Sequence, residues 1–152
     1  IRSWISRSNS AAGHSRGGMM TYRCCALDDR IVAASIGAGV ADCVDMYNRR
    51  EDSMKQVFLE LVGGTPEQLP EEYRKRSAVC WADKIKPPIL ICQGDDDWRV
   101  DISQARRMGE QLQKYGKEYK LEFFGRADHS LKGTSYFSDV IAWFRAHPIP
   151  AV

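Results

Sequence analysis

Gly13-His14-Ser15-Arg16-Gly17-Gly18 is the stretch on which the reading of this chain turns. It contains the pattern G-x-S-x-G. A serine nucleophile has to stand on a sharp turn between a strand and a helix, in a backbone conformation that side chains tolerate poorly. Glycines two residues before and two after it let neighbouring backbone pass close by. The serine then heads a helix, where the backbone N–H of Arg16 points at a developing oxyanion with help from the helix dipole. Taken alone, the same pattern also fits a glycine-rich helix start with no chemistry.

Moving outward, a serine needs a histidine base, and the histidine needs an acid to hold its tautomer. Residues 88–92 (PILIC) are a continuous apolar run that reads as a buried strand, and it leads into Gln93-Gly94-Asp95-Asp96-Asp97-Trp98-Arg99-Val100. Open parallel sheets place their sites just past the carboxyl ends of strands. Tyr119–Phe124 (YKLEFF) reads as another strand and is followed by Gly125-Arg126-Ala127-Asp128-His129. Serine, carboxylate and histidine thus occur in the order that α/β sheets with a nucleophile elbow require.

The remaining elements fit around these. Ile31–Gly37 (IVAASIG) reads as a strand covered on both faces. A helix is expected over 13–28 with Met19, Met20, Cys24 and Leu27 on its apolar side. Residues 38–82 read as mainly helical, with Met54, Val57, Phe58 and Leu61 at helical spacing and Gly63-Gly64 as a stop; 43–81 fits equally a lid or a pair of connecting helices. Asp101 and Gln104 resemble a capping box ahead of Ile102, Ala105, Met108, Leu112 and Tyr115, with Gly116 ending that helix. A last helix over 133–147 is expected to turn Phe137, Val140, Ile141 and Phe144 inward, and Pro148 stops it. Residues 1–12 read as an irregular N-terminal segment. The fold class is therefore α/β, one domain with a short, mostly parallel sheet flanked by helices.

Composition sets limits. The chain has 152 residues, 43% hydrophobic and 28% charged, which suits one ordinary globular domain. A net charge of +2 gives no field that would select nucleic acid or an anionic membrane, and no apolar run is long enough to cross a bilayer. The five cysteines form no C-x-x-C pair, so neither a zinc site nor a disulfide framework is expected. Reduced buried thiols, Cys80 and Cys92 among them, in a cytoplasmic protein are expected instead. Ile1 in place of Met reads as a fragment or a processed product.

GHSRGGMM, KRSAVCWADKIKPPILICQGDDDWRV and GRADHSL together resemble the C-terminal half of the catalytic domain of the prolyl oligopeptidase family of α/β-hydrolases, with dienelactone-hydrolase-like esterases as near relatives. The resemblance covers residues 13–147 and implies a partial α/β-hydrolase fold, with 13–152 as its catalytic segment. It implies Ser15 as nucleophile and His129 as base, although Ser130 follows where the family usually has glycine. The family frame G-x-x-D-x-x-V falls on Gly94, Asp97 and Val100, which selects Asp97 over Asp95 and Asp96 as the acid. Arg16 supplies an oxyanion N–H. The implied activity is a serine hydrolase cleaving a peptide or carboxylic ester bond through an acyl-enzyme, with no metal or organic cofactor. The alternative is a catalytically impaired fragment serving as a binding or oligomerisation module.

The family's strands before the elbow, and the loop giving a second oxyanion contact, are missing from this sequence. Asn9-Ser10-Ala11-Ala12, where the elbow strand belongs, are poor strand formers. Three strands would leave an open sheet edge, which predicts a homo-oligomer through that edge. Other residues keep two readings. Asp95-Asp96-Asp97 fits a calcium-type cluster only weakly. His14 is packing or substrate-facing; Trp81 and Trp98 line a cleft or fill core; Arg16 and Arg99 side chains bind a substrate carboxylate or are solvated surface. His14, Trp98 and Arg99 are kept as substrate-binding candidates. His147, at a helix end, is assigned no catalysis.

Overall fold

A computed structural model describes residues 8–50 and 53–149 of the chain. Four parallel strands, β1 (Asn9–His14), β2 (Ile31–Gly37), β3 (Ile89–Gly94) and β4 (Tyr119–Phe124), form one sheet in the order β1-β2-β3-β4. The helices are α1 (Arg16–Leu27), α2 (Cys43–Arg49), α3 (Ser53–Val62), α4 (Pro70–Arg76), α5 (Ser103–Lys114) and α6 (Tyr136–Ala146). No helix among the described residues is long and apolar enough to cross a membrane.

The central strand β3 is buried on both faces, which is why it reads as a continuous apolar run. Its side chains alternate between two cores. Ile89 and Ile91 join Tyr22, Cys25, Ala34, Ile36, Ile85, Met108 and Leu112 between the sheet, α1 and α5. Leu90 and Cys92 point the other way, toward Phe124, Leu131 and Tyr136 under α6. A third cluster gathers Met46, Tyr47 and Tyr73 with Val100, and Met54, Phe58 and Val62 of α3 pack against it. The segment after β2 is thereby anchored to the loop that follows β3.

β2 and β4 have the bounds expected from sequence, whereas other expectations need correction. Asn9–His14 is a strand, so the elbow strand is present despite its weak propensity. Pairing with β2 overrides propensity here: Ala11 faces Ala34 and Ala12 faces Ser35 across the ladder. Gly13 and His14 belong to that strand, so α1 starts later; packing against the sheet turns Gly18, Thr21, Tyr22 and Cys25 inward and leaves Met20 and Leu27 in solvent. On α6 two apolar stripes compete, and the buried one is Tyr136, Val140 and Trp143; Phe137 and Ile141 face out.

Gln104 is also not a capping residue. Its buried side chain accepts from the N–H groups of Ala41 and Asp42 at 2.9 and 2.8 Å and donates to Asp45, tying α5 to the start of α2. The thiols of Cys25, Cys43 and Cys92 are buried, but Cys24 and Cys80 are exposed, against expectation for Cys80.

Candidate active site

Ser15 sits alone between β1 and α1 with φ 56° and ψ −120°. Positive φ is uncommon for a residue with a side chain and marks stored strain. Two bonds hold it there: its N–H donates to the Gly37 carbonyl of β2 at 2.8 Å, and its own carbonyl accepts from Met19. Its hydroxyl makes no capping bond to α1, so the oxygen stays available. The Arg16 N–H is the first of the helix, one of the donors an α-helix cannot satisfy internally. The glycines divide unequally. A side chain at Gly13 would overlap the Gly17 carbonyl and the Thr21 hydroxyl, and one at Gly18 would lie 2.8 Å from Gly39 Cα. Gly17 itself has open space around it.

The candidate acid and base lie beyond β3 and β4. Asp97 has a fully buried side chain, and His129 Nδ1 donates to its Oδ2 at 2.8 Å. Gln93 Nε2 donates to the same oxygen at 2.9 Å, while the N–H groups of Arg99 and Val100 donate to Oδ1, each at 2.9 Å. Burial is the largest influence on this carboxyl and pushes its pKa up. The bonds from His129, Val100 and Arg99 outweigh it and hold the group below the usual carboxylate value. Asp97 is thus an anion with its lone pairs occupied. Asp95 accepts from the Arg126 N–H and Asp96 is exposed, so only Asp97 of the acidic triplet reaches the histidine.

The histidine loop is pressed against the end of β3. A side chain at Gly94 would overlap the Ala127 carbonyl and come within 2.9 Å of that of Asp128. Asp96 N–H donates to Ala127 O at 3.1 Å, and Arg126 and Leu131 adopt positive φ of 57° and 55°. His14 meets this loop from the other side. Its Nε2 lies 2.7 Å from the His129 carbonyl, and the two imidazoles are 4.9 Å apart. Among the described residues no hydrogen bond joins Ser15 Oγ to His129, a contact that in free enzymes often tightens only with substrate bound.

The remaining candidates fall elsewhere. Trp98 is 68% exposed, with the Arg50 and Arg99 guanidinium groups 5.5 and 5.2 Å from its ring. With Met46, Arg49 and Asp101 they line a cleft of about 270 Å³. Trp81 lines a separate groove with Met19, Met20 and Arg23, so the two tryptophans do not share a cleft. His147 bonds to Glu118 at 2.8 Å and takes no part in the site. Among the described residues no three His, Cys, Asp or Glu side chains gather as metal ligands. Gln93 was missed, although a polar residue in an otherwise apolar, fully buried strand demands partners and is itself a signal.

Residues 2–147 match the prolyl oligopeptidase family. The chain is 31% identical over 119 residues to the uncharacterized peptidase YtmA of Bacillus subtilis, which covers 77% of this chain and 46% of that protein. It is 33% identical over 84 residues to a second uncharacterized peptidase of the same organism, YuxL, covering 51% of this chain and 13% of that one. The chain therefore spans less than half the length of these relatives. Among solved structures, the Pyrococcus horikoshii acylaminoacyl peptidase superposes with a TM-score of 0.85 at 21% identity, over 97% of this chain and 25% of that one. A puromycin-hydrolyzing peptidase of Mycobacterium tuberculosis gives 0.80 at 23% identity, over 92% and 22%. At these identities the structural likeness speaks for the fold, a partial α/β-hydrolase sheet.

Proposed function

The chain belongs to the prolyl oligopeptidase family of α/β-hydrolases, and on that premise we propose that it is a serine hydrolase cleaving a peptide or carboxylic ester bond through an acyl-enzyme. The observation that carries the reading is the pairing of a strained Ser15 at the end of β1 with the bonded Asp97–His129 pair beyond β3 and β4. His129 Nε2 takes the Ser15 hydroxyl proton as Oγ attacks the substrate carbonyl carbon. The oxyanion of the tetrahedral intermediate accepts from the Arg16 N–H. His129 then protonates the departing amine or alcohol, and water attacks the acyl-enzyme by the same route in reverse. Asp97 keeps Nδ1 protonated and stabilises the imidazolium formed in each step. Trp98 and Arg99 follow the acid in sequence, and the cleft they line with Met46 and Asp101 is where a substrate group would extend from the site. The relatives named as peptidases favour the peptide bond. Five free cysteines support assignment to the cytoplasm.

A second reading, a binding or self-associating module, draws on the outer edge of β1, which pairs with no further strand among the described residues. That strand contains no charged residue and no proline, the usual guards of an open edge. Fluorophosphonate labelling separates the two. Label on the wild type that vanishes in Ser15→Ala supports the hydrolase. A folded, unlabelled chain that light scattering finds as a dimer supports the module. Paired assays on a short acyl ester and a peptide amide then assign the bond.

A further inference from the structure

His129 is gripped from two directions, and only one of them is the familiar carboxylate. Asp97 fixes the imidazole through Nδ1. The main chain of the same residue is fixed by His14, whose Nε2 lies 2.7 Å from the His129 carbonyl oxygen. A carbonyl only accepts, so His14 must carry its proton on Nε2 and donate it. The placement of that donor is informative. His14 is the last residue of β1 and directly precedes Ser15, so the bond joins the nucleophile's strand to the base's backbone across 115 positions of sequence. The loop it holds contains Arg126 and Leu131 in the left-handed region, a conformation that persists only where surroundings enforce it. His14 is also packed in place: a methyl group at Gly37 would come within 3.1 Å of its ring and 2.6 Å of the Tyr136 hydroxyl.

We propose that His14 is a positioning residue that sets the separation of Ser15 and His129 by donating Nε2–H to the His129 carbonyl. The role rests on the hydrolase reading, because it matters only if His129 serves Ser15. In this role His14 acts through the backbone of the base, not on the reacting atoms.

The full chain and its His14→Gln, His14→Phe and His14→Ala variants are compared in two ways. One readout is the second-order rate of fluorophosphonate labelling; the other is the downfield Nδ1–H proton resonance of His129. Glutamine keeps a donor near the Nε2 position, while phenylalanine keeps the ring packing and has no donor. Labelling is expected to fall about tenfold in the Phe and Ala variants, the worth of one hydrogen bond, and to recover to within about threefold in the Gln variant. The resonance is expected to stay sharp in wild type and Gln and to broaden in Phe. Phe labelled as fast as wild type, or Gln as slow as Phe, overturns the proposal. If the Phe variant does not fold, the contrast of Gln with Ala decides. If the wild type is not labelled at all, the hydrolase reading has failed, and the resonance alone decides. Its broadening in Phe with retention in Gln upholds the clamp, and the same signal in every variant overturns it.

Discussion

The carboxyl ends of β3 and β1 hold the two halves of the site by opposite means. Beyond β3, position comes from hydrogen bonds: the Asp97 carboxylate is buried and receives donors from His129, Gln93, Arg99 and Val100. At β1, position comes from backbone: Ser15 makes no side-chain cap, and its φ of 56° is enforced by close-packed small residues and a bond to Gly37. On the proposed hydrolase reading, the difference follows from the chemistry. An acid that only orients a base gains from having every lone pair fixed, whereas a nucleophile must keep its oxygen uncommitted. The first half should therefore fail when a donor or acceptor is removed, and the second when space is filled.

The largest expected effect is at Asp97. In Asp97→Asn the shape survives but an amide faces His129 Nδ1 and favours the wrong tautomer, so labelling should drop about 10⁴-fold. The substitution also has a pH signature. The folded-state pKa of Asp97 is held below its ordinary value, so its contribution to stability is present above the unfolded value near ~3.9 and is lost as pH falls through the folded value. Urea unfolding of wild type and variant should therefore differ most near neutral pH and converge in acid. A gap that widens below about pH 4 would contradict the bonding pattern around this carboxylate.

Gln93→Leu tests the same network one step away. Its Nε2 donates to Asp97 Oδ2 and to the Val100 carbonyl, both at 2.9 Å, inside a fully buried strand. Leucine fills similar volume but leaves both acceptors short of a donor, at a cost of about 1–3 kcal/mol. The urea midpoint should fall with the slope unchanged, and labelling should slow by about tenfold as the acid loosens. An unaltered midpoint would mean that the backbone donors alone secure Asp97.

The same contrast decides what could be read from the sequence. β2 is legible because an apolar, partly β-branched run has few alternatives, and β4 because aromatic and apolar residues are interleaved there with Lys120 and Glu122. The choice of Asp97 over its neighbours comes from the resemblance to the family frame on Gly94 and Val100. β1 is not legible, since Asn9-Ser10-Ala11-Ala12 is a strand only through the small residues facing it on β2. At Gln104 the local pattern misleads for a related reason. Locally it fits a helix cap, but its partners, Ala41 and Asp42, lie 63 and 62 residues away. The apolar faces of α1 and α6 differ from expectation because each helix offers more than one apolar stripe, and packing against the sheet selects Tyr22 and Cys25 on α1 and Tyr136, Val140 and Trp143 on α6. Local pattern points to candidate residues; contacts distant in sequence set their geometry.

The smallest effect separates two glycines that the motif treats alike. Gly13 has no room for a side chain, so Gly13→Ala must push the Gly17 carbonyl and Thr21 away, costing about 1–3 kcal/mol through strain at the elbow. Gly17 lies exposed in the first turn of α1, has open space around it and does not adopt positive φ. Alanine there clashes with nothing and restricts the unfolded chain, so Gly17→Ala should stabilise the protein by about 0.5–1 kcal/mol. For a chain of this size that is a rise of roughly 2–4 °C in Tm per kcal/mol, set against a fall for Gly13→Ala. Equal losses in the two variants would mean that the elbow needs both glycines for the conformation of the turn itself. Opposite signs would mean that the first glycine is demanded by packing behind the strand, and that the second position is open to any residue a helix accepts.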